Sequence, residues 1–108
     1  MKSKSILSTT IENKVAILLF DNPPLNLFNP RVFEAFIATF QDLEKAVEAD
    51  KVRVVLLTSP NPKAFSAGDD VKNGPTTSEG ALEQNRITRG MMSAIKNFSA
   101  PVIAAIDG

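Results

Sequence analysis

With 108 residues, 44% of them hydrophobic, the chain suits one small domain or a piece of a larger one, and it is too apolar for disorder. Twelve basic and twelve acidic side chains cancel, which argues against nucleic acid or an anionic membrane surface as the main partner. Cysteine is absent, which removes disulfides and thiolate chemistry, and so is histidine, the commonest general base and metal ligand. Tyrosine and tryptophan are missing too, so acid–base work within these residues falls to Asp, Glu or Lys.

The basic start Met1-Lys2-Ser3-Lys4-Ser5 is followed by only Ile6-Leu7 before polar residues resume, so no signal-peptide core follows it. The longest apolar run, Val15 to Phe20, is far too short to span a membrane. The reading is a soluble, cytoplasmic protein.

Residues 6–12 are rich in β-branched side chains and predict a strand. A tight turn at Glu12-Asn13-Lys14 leads to a second strand over 15–20, completing a hairpin. That second strand is apolar throughout, as expected of a strand buried on both faces. Residues 21–30 form a loop with three prolines, in which Asn29 suits an N-cap and Pro30 the first helical position. Val32, Phe33, Phe36, Ile37, Phe40, Leu43, Ala46 and Val47 then recur at helical spacing and predict an amphipathic helix of about five turns.

Asp50-Lys51 ends that helix, and residues 53–58 predict another buried strand. A loop at 59–63 leads to the turn Ala64-Phe65-Ser66-Ala67-Gly68-Asp69-Asp70-Val71. Small side chains there leave backbone N–H groups uncovered, which is what a developing oxyanion needs. The same residues also read as an ordinary strand-end turn with two solvated aspartates. Residues 71–80 are polar and expected to be mobile. Residues 81–98 predict a second helix, weakened by about 1 kcal/mol at Gly90 relative to alanine. A further buried strand is predicted over 101–106, and a core strand at the very C-terminus points to part of a larger domain. Strands separated by helices imply parallel pairing and an α/β fold.

Four segments of this chain resemble the crotonase superfamily (enoyl-CoA hydratase/isomerase), in the family's order and spacing: residues 15–27 with Asn22-Pro23-Pro24-Leu25-Asn26-Leu27, residues 52–58, residues 63–71 and residues 101–108. The resemblance implies a crotonase-like spiral of repeated strand–strand–helix (ββα) units, incomplete at the C-terminus. Residues 1–108 would be the N-terminal part, roughly two-fifths, of a single acyl-CoA-binding domain. It also implies a homotrimer or hexamer. The implied activity is enoyl-CoA hydratase/isomerase chemistry, with the thioester oxygen held as an enolate by two backbone N–H groups. Other chemistry on the same fold (hydrolysis, decarboxylation, dehalogenation) shares every motif, and a non-catalytic binding or assembly module remains an alternative from a different class.

By resemblance the first oxyanion donor is the main-chain N–H of Asp69, a position where the family more often has a small or apolar residue. Its carboxylate either points away from the enolate, or takes part in acid–base chemistry or shapes an unusual substrate preference. Asp70 matches a frequent aspartate that braces the turn by accepting backbone hydrogen bonds. The Ala67 carbonyl matches the acceptor for the adenine amino group of coenzyme A; Ala64, Gly68 and Val71 line the same groove, and Leu25 and Leu27 match the loop covering it. Lys63 is either a ligand for a coenzyme A phosphate or an exposed loop lysine. No cofactor is implied, since coenzyme A is part of the substrate. Asp69-Asp70 lacks a histidine or third carboxylate at fixed spacing and does not make a metal site. The second donor and the acid–base glutamates of hydratases fall past Gly108; alone, these residues would be inactive. Here Glu79 and Glu83 are the acidic candidates, or simply solvated residues at a helix start.

Overall fold

The computed structural model describes residues 6–107, so the basic start and Gly108 lie outside it. A hairpin opens the chain: β1 (Leu7–Glu12) pairs antiparallel with β2 (Val15–Phe20), with Leu7 opposite Phe20 and Glu12 opposite Val15. Asn13 and Lys14 make the turn at φ +50° and +66°. Helix α1 (Pro30–Glu48) then carries the chain back, so that β3 (Val54–Thr58) runs parallel to β2. Helix α2 (Ser78–Lys96) returns it again to β4 (Val102–Ala104), parallel to β3. The four-stranded sheet has the order β1-β2-β3-β4, as expected when helices connect successive parallel strands.

Helix α1 forms for the reasons its sequence offers. The Asn29 Oδ1 accepts the Val32 N–H at 3.0 Å, and Pro30 occupies the first turn, where its missing N–H costs nothing. Val32, Phe33, Phe36, Phe40 and Leu43 are buried along one stripe. They meet Ala16, Leu18 and Phe20 of β2 and Val55 of β3, which alternate onto one sheet face. Four phenylalanines form the centre: the Phe20 ring lies 5.1 Å from Phe28 and 5.4 Å from Phe36, and Phe28 lies 5.6 Å from both Phe33 and Phe36. Because Phe28 is a loop residue, this cluster ties the loop after β2 to the core.

The strands differ from expectation in burial. Only alternate residues of β2 are buried, Val55 alone is buried in β3, and no residue of β4 is, with Ile103 53% exposed. The core is built on one face, where Ala16, Leu18, Phe20 and Val55 meet α1; Val15, Ile17, Leu19, Val54 and Leu56 on the other face stay partly exposed. β4 ends at Ala104, although the Ala105 N–H still donates to the Leu57 carbonyl at 2.8 Å. Helix α2 begins three residues before its expected start at 81. Thr77 supplies the reason: its Oγ1 accepts the Gly80 N–H at 3.0 Å, and Glu79 favours the positive end of the helix. No helix among the described residues is long and apolar enough to cross a membrane.

Candidate functional site

The loop after β2 and the turn after β3 lie side by side. Asn22 to Phe28 follow β2, and Ala64 to Asp70 follow β3, so parallel strands deliver both segments to the same C-terminal end of the sheet. They are joined residue by residue. The Ala67 N–H donates to the Leu25 carbonyl at 3.0 Å, and the Ser66 hydroxyl to the Asn26 carbonyl at 2.8 Å. The Phe28 N–H donates to the Gly68 carbonyl at 2.8 Å, and the Asp70 N–H to the Phe28 carbonyl at 2.9 Å.

These last two bonds define a parallel bridge between Phe28 and Asp69. In extended backbone, successive peptide groups face opposite ways. The Gly68 carbonyl and the Asp70 N–H face Phe28, so the N–H and carbonyl of Asp69 face away from it. Among the described residues the Asp69 N–H has no protein acceptor. Gly68 makes the approach possible with φ +95°, in a region that L side chains rarely adopt.

Asp69 is exposed and lines a recess of about 270 Å³ with Pro75, Ala81, Gln84, Asn85 and Thr88. Its carboxylate makes no ion pair or hydrogen bond among the described residues. The Asp70 carboxylate accepts the Asn73 N–H at 3.3 Å and its side-chain amide at 3.1 Å, and so holds the turn that follows. Ala64 is half-buried, and Ala67 and Gly68 are exposed. Leu25 is 40% exposed, Leu27 half-buried, and Val71, at 86%, stands in solvent. Lys63 lines a second recess, of about 430 Å³, with Asp21, Pro23, Pro24, Asn61 and Pro62.

The acidic candidates of α2 lie near its start and do not line the recess at Asp69. Glu79 is in the first turn. Glu83 is paired with Arg86 at 2.6 Å, and the hydrogen bond from the guanidinium lowers its pKa, which makes it a weaker proton acceptor. No group of three His, Cys, Asp or Glu side chains among the described residues stands close enough to hold a metal.

Sequence reasoning passed over Asn26. It is fully buried at φ +54°, and it touches both segments. An asparagine in a proline-rich loop reads as a solvated turn residue, and nothing local reveals partners 33 to 39 positions away.

The model of the family described as enoyl-CoA hydratase/isomerase matches residues 10–108. The chain belongs to the enoyl-CoA hydratase/isomerase family. A probable enoyl-CoA hydratase of Bacillus subtilis is 30% identical over 105 residues, which are 94% of this chain and 39% of that protein. The methylmalonyl-CoA decarboxylase of Escherichia coli is 26% identical over 98 residues, 89% of this chain and 36% of the enzyme. Among solved structures, an enoyl-CoA hydratase of Mycobacterium smegmatis superposes with a TM-score of 0.86 at 28% identity, covering 97% of this chain and 41% of that one. The Pseudomonas aeruginosa protein DspI, with a TM-score of 0.87 at 23% identity, shares the fold. The chain spans about two-fifths of the length of the relatives it matches, so the α/β unit described above is an incomplete crotonase fold.

Proposed function

We propose that the protein acts on acyl-CoA thioesters and stabilises a thioester enolate, with the Asp69 N–H as one of two backbone donors. The observation that carries this reading is the bridge between Phe28 and Asp69, which leaves the Asp69 N–H facing away from Phe28 without an acceptor among the described residues. A donor held in place before the reaction stabilises charge as it develops, without reorganising when the proton moves. Leu25, Leu27, Ala64, Ala67, Gly68, Asp70 and Val71 form the coenzyme A side of this site, with the Ala67 carbonyl accepting the adenine amino group. Lys63 faces a coenzyme A phosphate across its recess. The Asp69 carboxylate points away from the enolate, because a like charge in a dry site opposes its formation. The second donor and the acid and base come from the remaining part of the family domain. The working assembly is a homotrimer or hexamer in the cytoplasm, which light scattering on the whole protein tests.

The reaction is hydration or double-bond isomerisation of an enoyl-CoA. The similarity to a methylmalonyl-CoA decarboxylase supports a second reading at the level of the reaction. There the bond to a carboxylate breaks, CO2 leaves, its electron pair enters the thioester carbonyl, and the same donors receive the enolate.

Asp69→Pro in the whole protein tests the donor. It deletes the N–H, and loss of one such donor typically lowers kcat by about 100- to 1,000-fold. Asp69→Asn keeps the N–H and is expected to hold turnover within a few-fold. Crotonyl-CoA and methylmalonyl-CoA offered in parallel separate the two reactions. A folded Asp69→Pro protein with near-normal turnover would show that the donor is elsewhere.

A further inference from the structure

The amide of Asn26 is a buried junction. Its Nδ2 lies 2.7 Å from Ser59 Oγ, 2.9 Å from the Phe65 carbonyl, 3.3 Å from the Ala64 carbonyl and 3.4 Å from the Phe20 carbonyl. Two protons thus face oxygens from the end of β2, from the residue after β3 and from the turn itself. The Oδ1 accepts the Asn22 N–H at 2.7 Å, closing its own loop. The main-chain carbonyl accepts the Ser66 hydroxyl, and that same Oγ accepts the Gly68 N–H at 3.1 Å. Asn26 therefore holds residues 64, 65 and 66 directly and residue 68 through one hydroxyl. Its φ of +54° is one that asparagine tolerates better than most residues.

We infer that Asn26 is a positioning residue that sets the aim of the Asp69 N–H by fixing the turn from both its side chain and its main chain. The inference rests on the reading of Asp69 as the donor. The peptide that carries that N–H begins at Gly68, whose carbonyl and N–H are both engaged by the 26–28 segment and the Ser66 hydroxyl. No other side chain among the described residues bridges the ends of β2 and β3 to the turn at once. An aliphatic side chain of similar volume would fill the space but leave the Phe65 carbonyl and Ser59 Oγ without this donor. A carboxylate would place an acceptor among oxygens; once protonated it regains one donor.

The test is Asn26→Asp in the whole protein, read by steady-state kinetics across pH and by amide hydrogen exchange. The expected result is a fall in kcat of about 100-fold, the scale of a 1 Å misplacement. KM should change by a smaller factor than kcat, because the fully buried Asn26 acts on the coenzyme A residues 64, 67 and 68 only through the turn that it holds. Exchange of the Ala67 and Asp70 amides, which bond to Leu25 and Phe28, should speed by about 10-fold or more while amides in the middle of α1 are unchanged. Turnover and protection should recover in part as pH falls, because protonation restores a donor; a space-filling role gives no such recovery. If Asn26→Asp does not fold, Ser66→Ala decides, since it cuts the main-chain hold and should give the same pattern at about 10-fold in kcat. Unchanged exchange at residues 67–70 in the folded variant overturns the inference, whatever the activity. A protein whose exchange responds but which binds no acyl-CoA keeps Asn26 as the clamp of the turn and overturns the donor assignment instead.

Discussion

Gly68→Ala isolates backbone conformation as the quantity that shapes the turn. Gly68 sits at φ +95°, and a methyl group built on its Cα would meet no heavy atom within 4 Å. Steric overlap therefore contributes nothing, and the whole cost is the left-handed conformation. For an L-residue that cost is about 1–2 kcal/mol. A D-alanine at position 68, introduced by semisynthesis, prefers positive φ and should cost almost nothing. Urea unfolding of the three proteins supplies the stabilities, and acyl-CoA turnover in the whole protein tests the proposed donor. Turnover of Gly68→Ala should fall further than its stability, since relaxing φ toward negative values rotates the peptide that carries the Asp69 N–H. Equal destabilisation by L- and D-alanine would refute the reasoning, because space rather than φ would then be limiting. So would an L-alanine protein as stable as the parent.

Two further predictions concern stability. Phe36 is buried and touches both Phe20 and Phe28, so Phe36→Ala should cost about 3–5 kcal/mol in urea unfolding and loosen the loop that holds residue 69. Asp50 is hydrogen-bonded by Lys14 at 2.8 Å and by Arg53 at 3.2 Å, and these bonds lower its pKa. Its carboxylate binds protons less readily in the folded chain than in the unfolded one, so its contribution is present above the ordinary carboxylate range and fades as pH falls through the lowered value. Asp50→Asn should therefore be slightly less stable than the parent at pH 7, with the gap closing in acid. A gap that persists in acid would show that the bonds from Lys14 and Arg53 are not its source.

Much of this was legible from local pattern. Helix α1 follows its stripe of phenylalanines and its Asn29-Pro30 start, and the β1–β2 hairpin follows its β-branched residues. These signals lie within one element, where periodicity and capping act. Burial of the strands was less legible, because an apolar run such as residues 15–20 reports which residues tolerate burial and leaves open how many faces are covered. The start of α2 was hidden in a run of Thr and Ser that reads equally as loop; only the geometry at Thr77 selects the cap. At the site, the turn itself stood out through its small residues. The free direction of the Asp69 N–H depends on Phe28, 41 positions earlier, and the clamp by Asn26 on partners from three segments. Such long-range pairings leave no periodic trace.

The Phe28–Asp69 bridge has a consequence for how chemistry can diversify here. Residue 69 is held entirely through the backbone of its neighbours, so its own side chain is a free variable beside a fixed backbone N–H. A library of substitutions at 69, proline excepted, should sample different groups at one unvarying N–H. The aspartate present is one choice among many that the same backbone can display.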